Sequence, residues 1–157
     1  MAGFGRDADG ELYAIDLGAG QIHKLEAATQ TGPTAPPLPL KLSETGCYSD
    51  MTNLGFAPGV VPYNVNMPLW SDGADKQRGM SLPPGSTIGY TDDGPWQFPV
   101  GTVLIKTFSL ASRPIETRLL LRGSDIWRGI TYRWNTDATD ADLLTNEISE
   151  NIAGQPW

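Results

Sequence analysis

The sequence predicts an all-β fold, an antiparallel β-sandwich or open barrel built on a central meander with one or two short helices. Three observations predict it. The 157 residues include 18 Gly and 13 Pro, a density of turn formers that leaves little room for long helices. Between Trp96 and Trp134, β-branched and aromatic residues fill three runs, roughly 102–109, 115–122 and 126–134, each bounded by Gly, Ser, Pro or Asp. Hydrophobic residues make up 39% of the chain, which at this length is enough to bury the core of one domain.

Charge and rare residues narrow the chemistry. A net charge of −7 and a pI near 4.5 argue against general binding to nucleic acid or anionic membranes, both of which need a positive field. A single cysteine, Cys47, excludes an internal disulfide and a multi-thiolate metal site. A single histidine, His23, excludes a poly-histidine site and leaves any Ser-His-Asp triad resting on one residue. No run of about 18 apolar residues and no basic-then-apolar amino-terminal segment is present, so the sequence predicts neither a membrane span nor an export signal within the chain as given.

Taken in order, residues 3–26 read as strand, turn and strand: ELYAID alternates, LGAG turns and QIHKLE alternates back. Asp7 and Asp9 fit a solvated turn, with calcium ligation as the alternative, although the rest of an EF-hand loop is missing. The motif DADGELYAID followed by a Gly turn and IHKL resembles the terminal blade strands of β-propellers related to soluble sugar dehydrogenases. That resemblance implies a propeller-edge hairpin over 1–26 whose outer strand pairs with a second copy of the chain, giving a homo-oligomer. Residues 27–41 are Pro-rich and nearly uncharged, which predicts an extended linker. The domain proper then spans 42–157.

The LSETGCYSDMTNLG stretch predicts one or two turns of helix with Cys47 as a structural thiol. After Trp70, the cluster Ser71, Asp72, Asp75, Lys76 and Arg78 reads first as an S-D-G turn. Its functional alternative makes Asp72 and Asp75 a general base or ligands of a hard cation such as calcium. Asp92 and Asp93 read as turn residues. Beyond Trp134, Asn135 or Thr136 predicts the cap of a short helix with Asp137, Asp140 and Asp142 in its first turn, calcium being again the alternative. The segments PYNVNMPLWSDGADK, W-x-FPVGTVLIK-x-F, E-T-R-L and W-x-G-x-TY-x-WN together resemble, over about residues 42–144, a β-rich domain of large exported bacterial proteins. In those proteins it follows a propeller and precedes a segment that attaches c-type haem. The resemblance implies a periplasmic or extracellular multidomain setting and transfers no activity to any residue; the chain has no C-x-x-C-H, so no haem is expected in it.

Hairpins closing near Ala111–Ser112 and Gly123–Ser124 assign the meander's two faces. Val103, Ile105, Thr107, Thr117, Leu119, Leu121, Trp127, Gly129 and Thr131 form the expected core face. Leu104, Lys106, Phe108, Glu116, Arg118, Leu120, Arg122, Arg128, Ile130, Tyr132 and Trp134 form the other. Lys106, Arg118, Arg122 and Arg128 are four of eleven cationic residues in an acidic chain, with Glu116 among them.

Two functions follow from that face, beside the plain alternative of a solvated sheet with ordinary ion pairs. One is a binding module for a small acidic or carbohydrate ligand, using Phe108, Arg122, Arg128, Tyr132 and Trp134 as contacts. The other is a hydrolase of esters, lactones or phosphoesters. There Glu116 or Asp72 activates water, Lys106 and Arg118 stabilise the oxyanion, and a divalent ion is an optional aid.

Overall fold

The computed structural model describes residues 3–26, 37–146, 148–152 and 154–156. The chain divides into two compact units, 1–37 and 38–157. The Pro-rich stretch 27–36 lies outside the described residues.

The first unit is a three-stranded antiparallel sheet of β1 (Gly3–Arg6), β2 (Leu12–Asp16) and β3 (Gln21–Lys24), in that order. Sequence reasoning found β2 and β3 and missed β1, whose GFGR text has no alternation. Asp7 makes the first turn: its Oδ1 accepts from the Asp9 and Glu11 amides and its Oδ2 from the Tyr13 hydroxyl. These bonds, chiefly that from Glu11, hold the Asp7 carboxyl below its ordinary value. Phe4, Leu12, Leu17 and Ile22 are exposed, and a three-stranded sheet taken by itself is a single layer.

The second unit is organised by one six-stranded antiparallel sheet. After a 3-10 helix at Leu42–Thr45 come β4 (Tyr48–Asp50), β5 (Gly55–Phe56) and β6 (Val60–Pro62). The long strands β7 (Asp75–Ser81), β8 (Val103–Leu110), β9 (Arg113–Arg122) and β10 (Trp127–Trp134) follow, then β11 (Ala141–Leu143). The sheet order is β11-β10-β9-β8-β7-β6, and β4 with β5 forms a small hairpin beside it. A last hairpin joins β12 (Asn151–Ile152) to β13 (Gln155–Pro156). The all-β antiparallel class and the central meander are thus as the sequence predicts.

The hairpin between β8 and β9 turns on Ala111 and Ser112, both with positive φ (47° and 65°), the backbone of a type I′ turn. A bulge leaves Ile115 unpaired, since Phe108 faces Glu116 while Ser109 faces Pro114. The helix predicted after Trp134 is instead a tight loop into β11. Asn135 Oδ1 accepts from the Thr139 amide at 2.9 Å, and the Asn135 amide donates to Asp140 O at 3.0 Å. Asn135 therefore closes a hairpin loop in place of capping a helix.

The core lies on the sheet face that carries Ile105, Leu119, Tyr132, Trp134 and Ala141, packed with Leu42, Cys47 and Tyr48. Four polar groups inside it satisfy one another. Trp134 Nε1 donates to Thr117 Oγ1 at 3.0 Å, Thr117 and Thr107 share a hydroxyl bond of 2.7 Å, and Thr107 bonds the Tyr48 hydroxyl at 2.6 Å. Burial drives the Tyr48 pKa to about 12 and raises that of the Cys47 thiol. Cys47 is a core residue.

Candidate functional site

The opposite face of the same sheet carries the candidate site, and its register can be followed strand by strand. Arg78, Lys106, Arg118 and Thr131 stand abreast on β7, β8, β9 and β10. One step along, in the direction of Ser71, the row is Lys76, Phe108, Glu116 and Arg133. One step the other way it is Met80, Leu104, Leu120 and Gly129. Neighbouring strands are about 4.8 Å apart, so three cations are held within about 10 Å.

Lys106 sits over the Phe108 ring with Nζ 5.2 Å from its centroid, and the Arg118 guanidinium lies 4.9 Å from it. Phe108 is itself buried, so it supports the cations from beneath and offers no open ring to a ligand. Arg118 also pairs with Glu116, the carboxylate of this group. Partial burial, followed by the like charges of Arg78, Arg118 and Lys76, lowers the Lys106 pKa, with Glu116 opposing. Lys76, Arg78, Lys106 and Arg118 thus share these two rows with the Glu116 carboxylate and with Arg133.

A segment from Tyr63 to Ser71 crosses above these rows. The Tyr63 amide extends the β6–β7 pairing by donating to Arg78 O at 3.1 Å, and Lys76 Nζ donates to Leu69 O at 2.6 Å. The segment ends in a turn in which the Ala74 amide reaches Ser71 O at 2.8 Å, with positive φ at Asp72 and Gly73. That is a D-G type I′ turn, the structural reading of this motif. Between segment and sheet lies a cleft of about 630 Å³ whose lining includes Lys76, Arg78, Lys106, Arg118, Leu104 and Leu120. A smaller cleft of about 480 Å³ adjoins it, lined in part by Asp72, Glu116, Arg118, Arg133 and Glu150. Arg133 and Glu150 are ion-paired there.

The structure thus brings together Lys106, Arg118, Glu116 and Phe108, with Asp72 at the rim. It corrects the placement of β10 by one residue. The loop Gly123–Ile126 has four residues, so Arg122 pairs with Trp127 and the parity of β10 is reversed relative to the expected faces. Tyr132 and Trp134 are consequently core residues, each 1% exposed, and are removed from the ligand contacts. Arg128 lies on the core side of the sheet, at its exposed end. Arg122 keeps its face, yet stands at the far end with its guanidinium 5.9 Å from the Trp127 ring. Thr131 and Arg133 take the positions expected for Tyr132 and Trp134.

Lys76 and Arg78 on β7 are the site residues that sequence reasoning did not place. The core face of β7 carries Asp75, Gln77, Gly79 and Ser81, which erases the alternation a strand normally shows. Packing explains the anomaly: a Cβ on Gly79 would stand 2.7 Å from the Phe56 ring and 2.8 Å from Val60, so β5 and β6 supply the apolar layer there. The Asp-Lys-Gln-Arg polarity was the only available signal, and it reads equally well as a loop.

Among the described residues, no group of three His, Cys, Asp or Glu side chains is placed to hold a metal ion. Asp72 and Asp75 line different clefts. Asp140 accepts from Ser43 and from the Ala141 amide, and Asp142 pairs with Lys41 at 2.6 Å, which gives these two carboxylates structural partners. His23 is exposed on β3. Also among the described residues, no helix is long and apolar enough to cross a membrane. Compared with protein-family models, curated proteins and solved structures, the chain has no match in any of the three.

Proposed function

We propose that the chain is a binding module for a small acidic ligand, held on the cationic face around Lys106. The observation that carries this reading is the row Arg78, Lys106 and Arg118 on three adjacent strands, with Glu116 as the one carboxylate beside it. Like charges set directly opposite one another across strands destabilise a sheet, and a bound anion offsets that repulsion. Phe108 under the two cations fixes their height, so little ordering is left to be done on binding. Isothermal titration with inorganic phosphate and with succinate tests the proposal. Binding that falls about tenfold in Lys106→Met, with an unchanged fold, is expected; equal binding by wild type and Lys106→Met removes the proposal.

A hydrolase of esters, lactones or phosphoesters is a second reading, favoured by Glu116, Asp72 and Arg118 sharing the smaller cleft. Glu116 would activate water and Arg118 with Lys106 would stabilise the developing oxyanion. Against it, Glu116 is only 7% exposed and already engaged by Arg118. Turnover of activated esters, lactones and phosphotriesters that disappears in a folded Glu116→Gln variant would reverse the order of the two readings.

For the first unit, exposed Phe4, Leu12 and Ile22 on a sheet whose outer strands are β1 and β3 support strand pairing with a second copy. Light scattering is expected to give a dimer, and a monomer for the chain lacking residues 1–26.

A further inference from the structure

The rows beyond the cations say what kind of anion the larger cleft takes. Two residues along the strands from Lys106, Arg118 and Thr131 the floor of the cleft changes to Leu104, Leu120 and Gly129, a step of about 7 Å. Leu120 is 42% exposed although it lies mid-strand. On the segment above, Met67, Leu69 and Trp70 are 88%, 84% and 79% exposed, and all three line the same cleft. Large apolar side chains gathered beside a charged row are seldom left open unless something covers them. Gly129 widens the floor: a Cβ there would meet only Leu120 Cδ2, at 3.8 Å.

We infer that the ligand is an amphiphilic organic anion, one molecule with its carboxylate or phosphate head over Lys106 and Arg118 and an alkyl or aryl body between Leu120 and the Met67–Trp70 segment. This rests on the anion-binding reading above and adds the apolar half of the ligand. A cleft of about 630 Å³ holds one molecule of that size. The charge of the floor selects the head, and the step of about 7 Å from charged to apolar row places the start of the body within about five or six bonds of it. A simple inorganic anion fills only the cationic end. A soluble monomer is favoured over a bilayer, because the cations lie on the floor of the cleft beneath the segment, away from a flat membrane surface, and the chain as a whole carries −7.

Gly129→Ile tests the apolar half without touching a charge. It adds bulk on the cleft side at an extended strand position, where a β-branched residue is well tolerated. The probes are inorganic phosphate and monooctyl phosphate below its micelle concentration, titrated calorimetrically into wild type, Gly129→Ile and Lys106→Met. Monooctyl phosphate is expected to bind wild type at least about tenfold tighter than phosphate, with the advantage lost in Gly129→Ile while phosphate binding is retained. A thermal melt establishes that each variant is folded, and Leu120→Ser serves as the second apolar variant should Gly129→Ile not fold. If phosphate binds through Lys106 and the octyl chain adds nothing, the amphiphile inference falls and the anion reading stands. If neither probe depends on Lys106, both fall. Sedimentation with phosphatidylglycerol vesicles, together with no binding of the monomer, would assign the surface to membranes and likewise overturn the inference.

Discussion

The two faces of the six-stranded sheet are made by alternate residues of the same strands, and they treat polar groups in opposite ways. On the core face, Tyr48, Thr107, Thr117 and Trp134 close a chain of hydrogen bonds in which each side chain has a partner. On the other, Arg78, Lys106 and Arg118 stand abreast with Glu116 in the next row and a cleft above. Buried polar groups cost free energy unless satisfied internally, so the first face is committed to the fold. Half-exposed cations can be satisfied from outside, so the second face can spend its charge on a ligand. The difference teaches where substitutions should cost stability and where they should cost binding.

The largest expected effect is on the core face. Trp134→Ala removes a side chain 1% exposed and the donor to Thr117; a loss of about 3–5 kcal/mol by chemical denaturation is expected. A loss below about 1 kcal/mol would mean that this face is not the committed one. Gly79→Ala is next. It drives a methyl group into the Phe56 ring and Val60, and about 1–3 kcal/mol is expected for overpacking. The readout is the urea midpoint, with phosphate binding by the folded fraction unchanged. Weakened binding at normal stability would instead tie Gly79 to the cationic face.

How legible these faces were in the sequence follows from loop arithmetic. β8 and β9 could be assigned because the two-residue turn and the unpaired Ile115 together preserve parity, so Lys106 opposite Arg118 follows from simple pairing. β10 could not, because a four-residue loop shifts it by one and nothing in Gly-Ser-Asp-Ile states its length in hydrogen-bonded terms. Trp134 and Tyr132 then look like exposed aromatics when they are core. β7 was hidden for a different reason, since its apolar layer comes from Phe56 and Val60 on other strands. Two of the three cations of the row, Lys106 and Arg118, were therefore readable, and the third, Arg78, depended on tertiary packing. The loop after Trp134 was misread because Asn135 serves a hairpin as readily as a helix start.

The smallest effect separates the faces by sign. Tyr48 has a folded pKa of about 12 against an ordinary 10, so above pH 10 the unfolded chain loses a proton that the folded chain keeps. Stability then falls with rising pH, by about 1–3 kcal/mol across that window. Lys106 is shifted downward by partial burial and by Arg78, Arg118 and Lys76. Between its folded pKa and the unfolded value near 10.4, the unfolded chain holds the proton that the folded chain has released, so stability rises with pH as the repulsion is relieved. Urea midpoints measured from pH 8 to 12 should therefore show a steeper alkaline decline in Lys106→Met and a shallower one in Tyr48→Phe, each relative to wild type. At pH 7, Lys106→Met should change stability by no more than about 0.5 kcal/mol, because the lost contact with Phe108 offsets the relieved repulsion. A shallower decline than wild type in both variants would show that Lys106 is held in place by attraction, and the cationic row would then belong to the fold and not to a ligand.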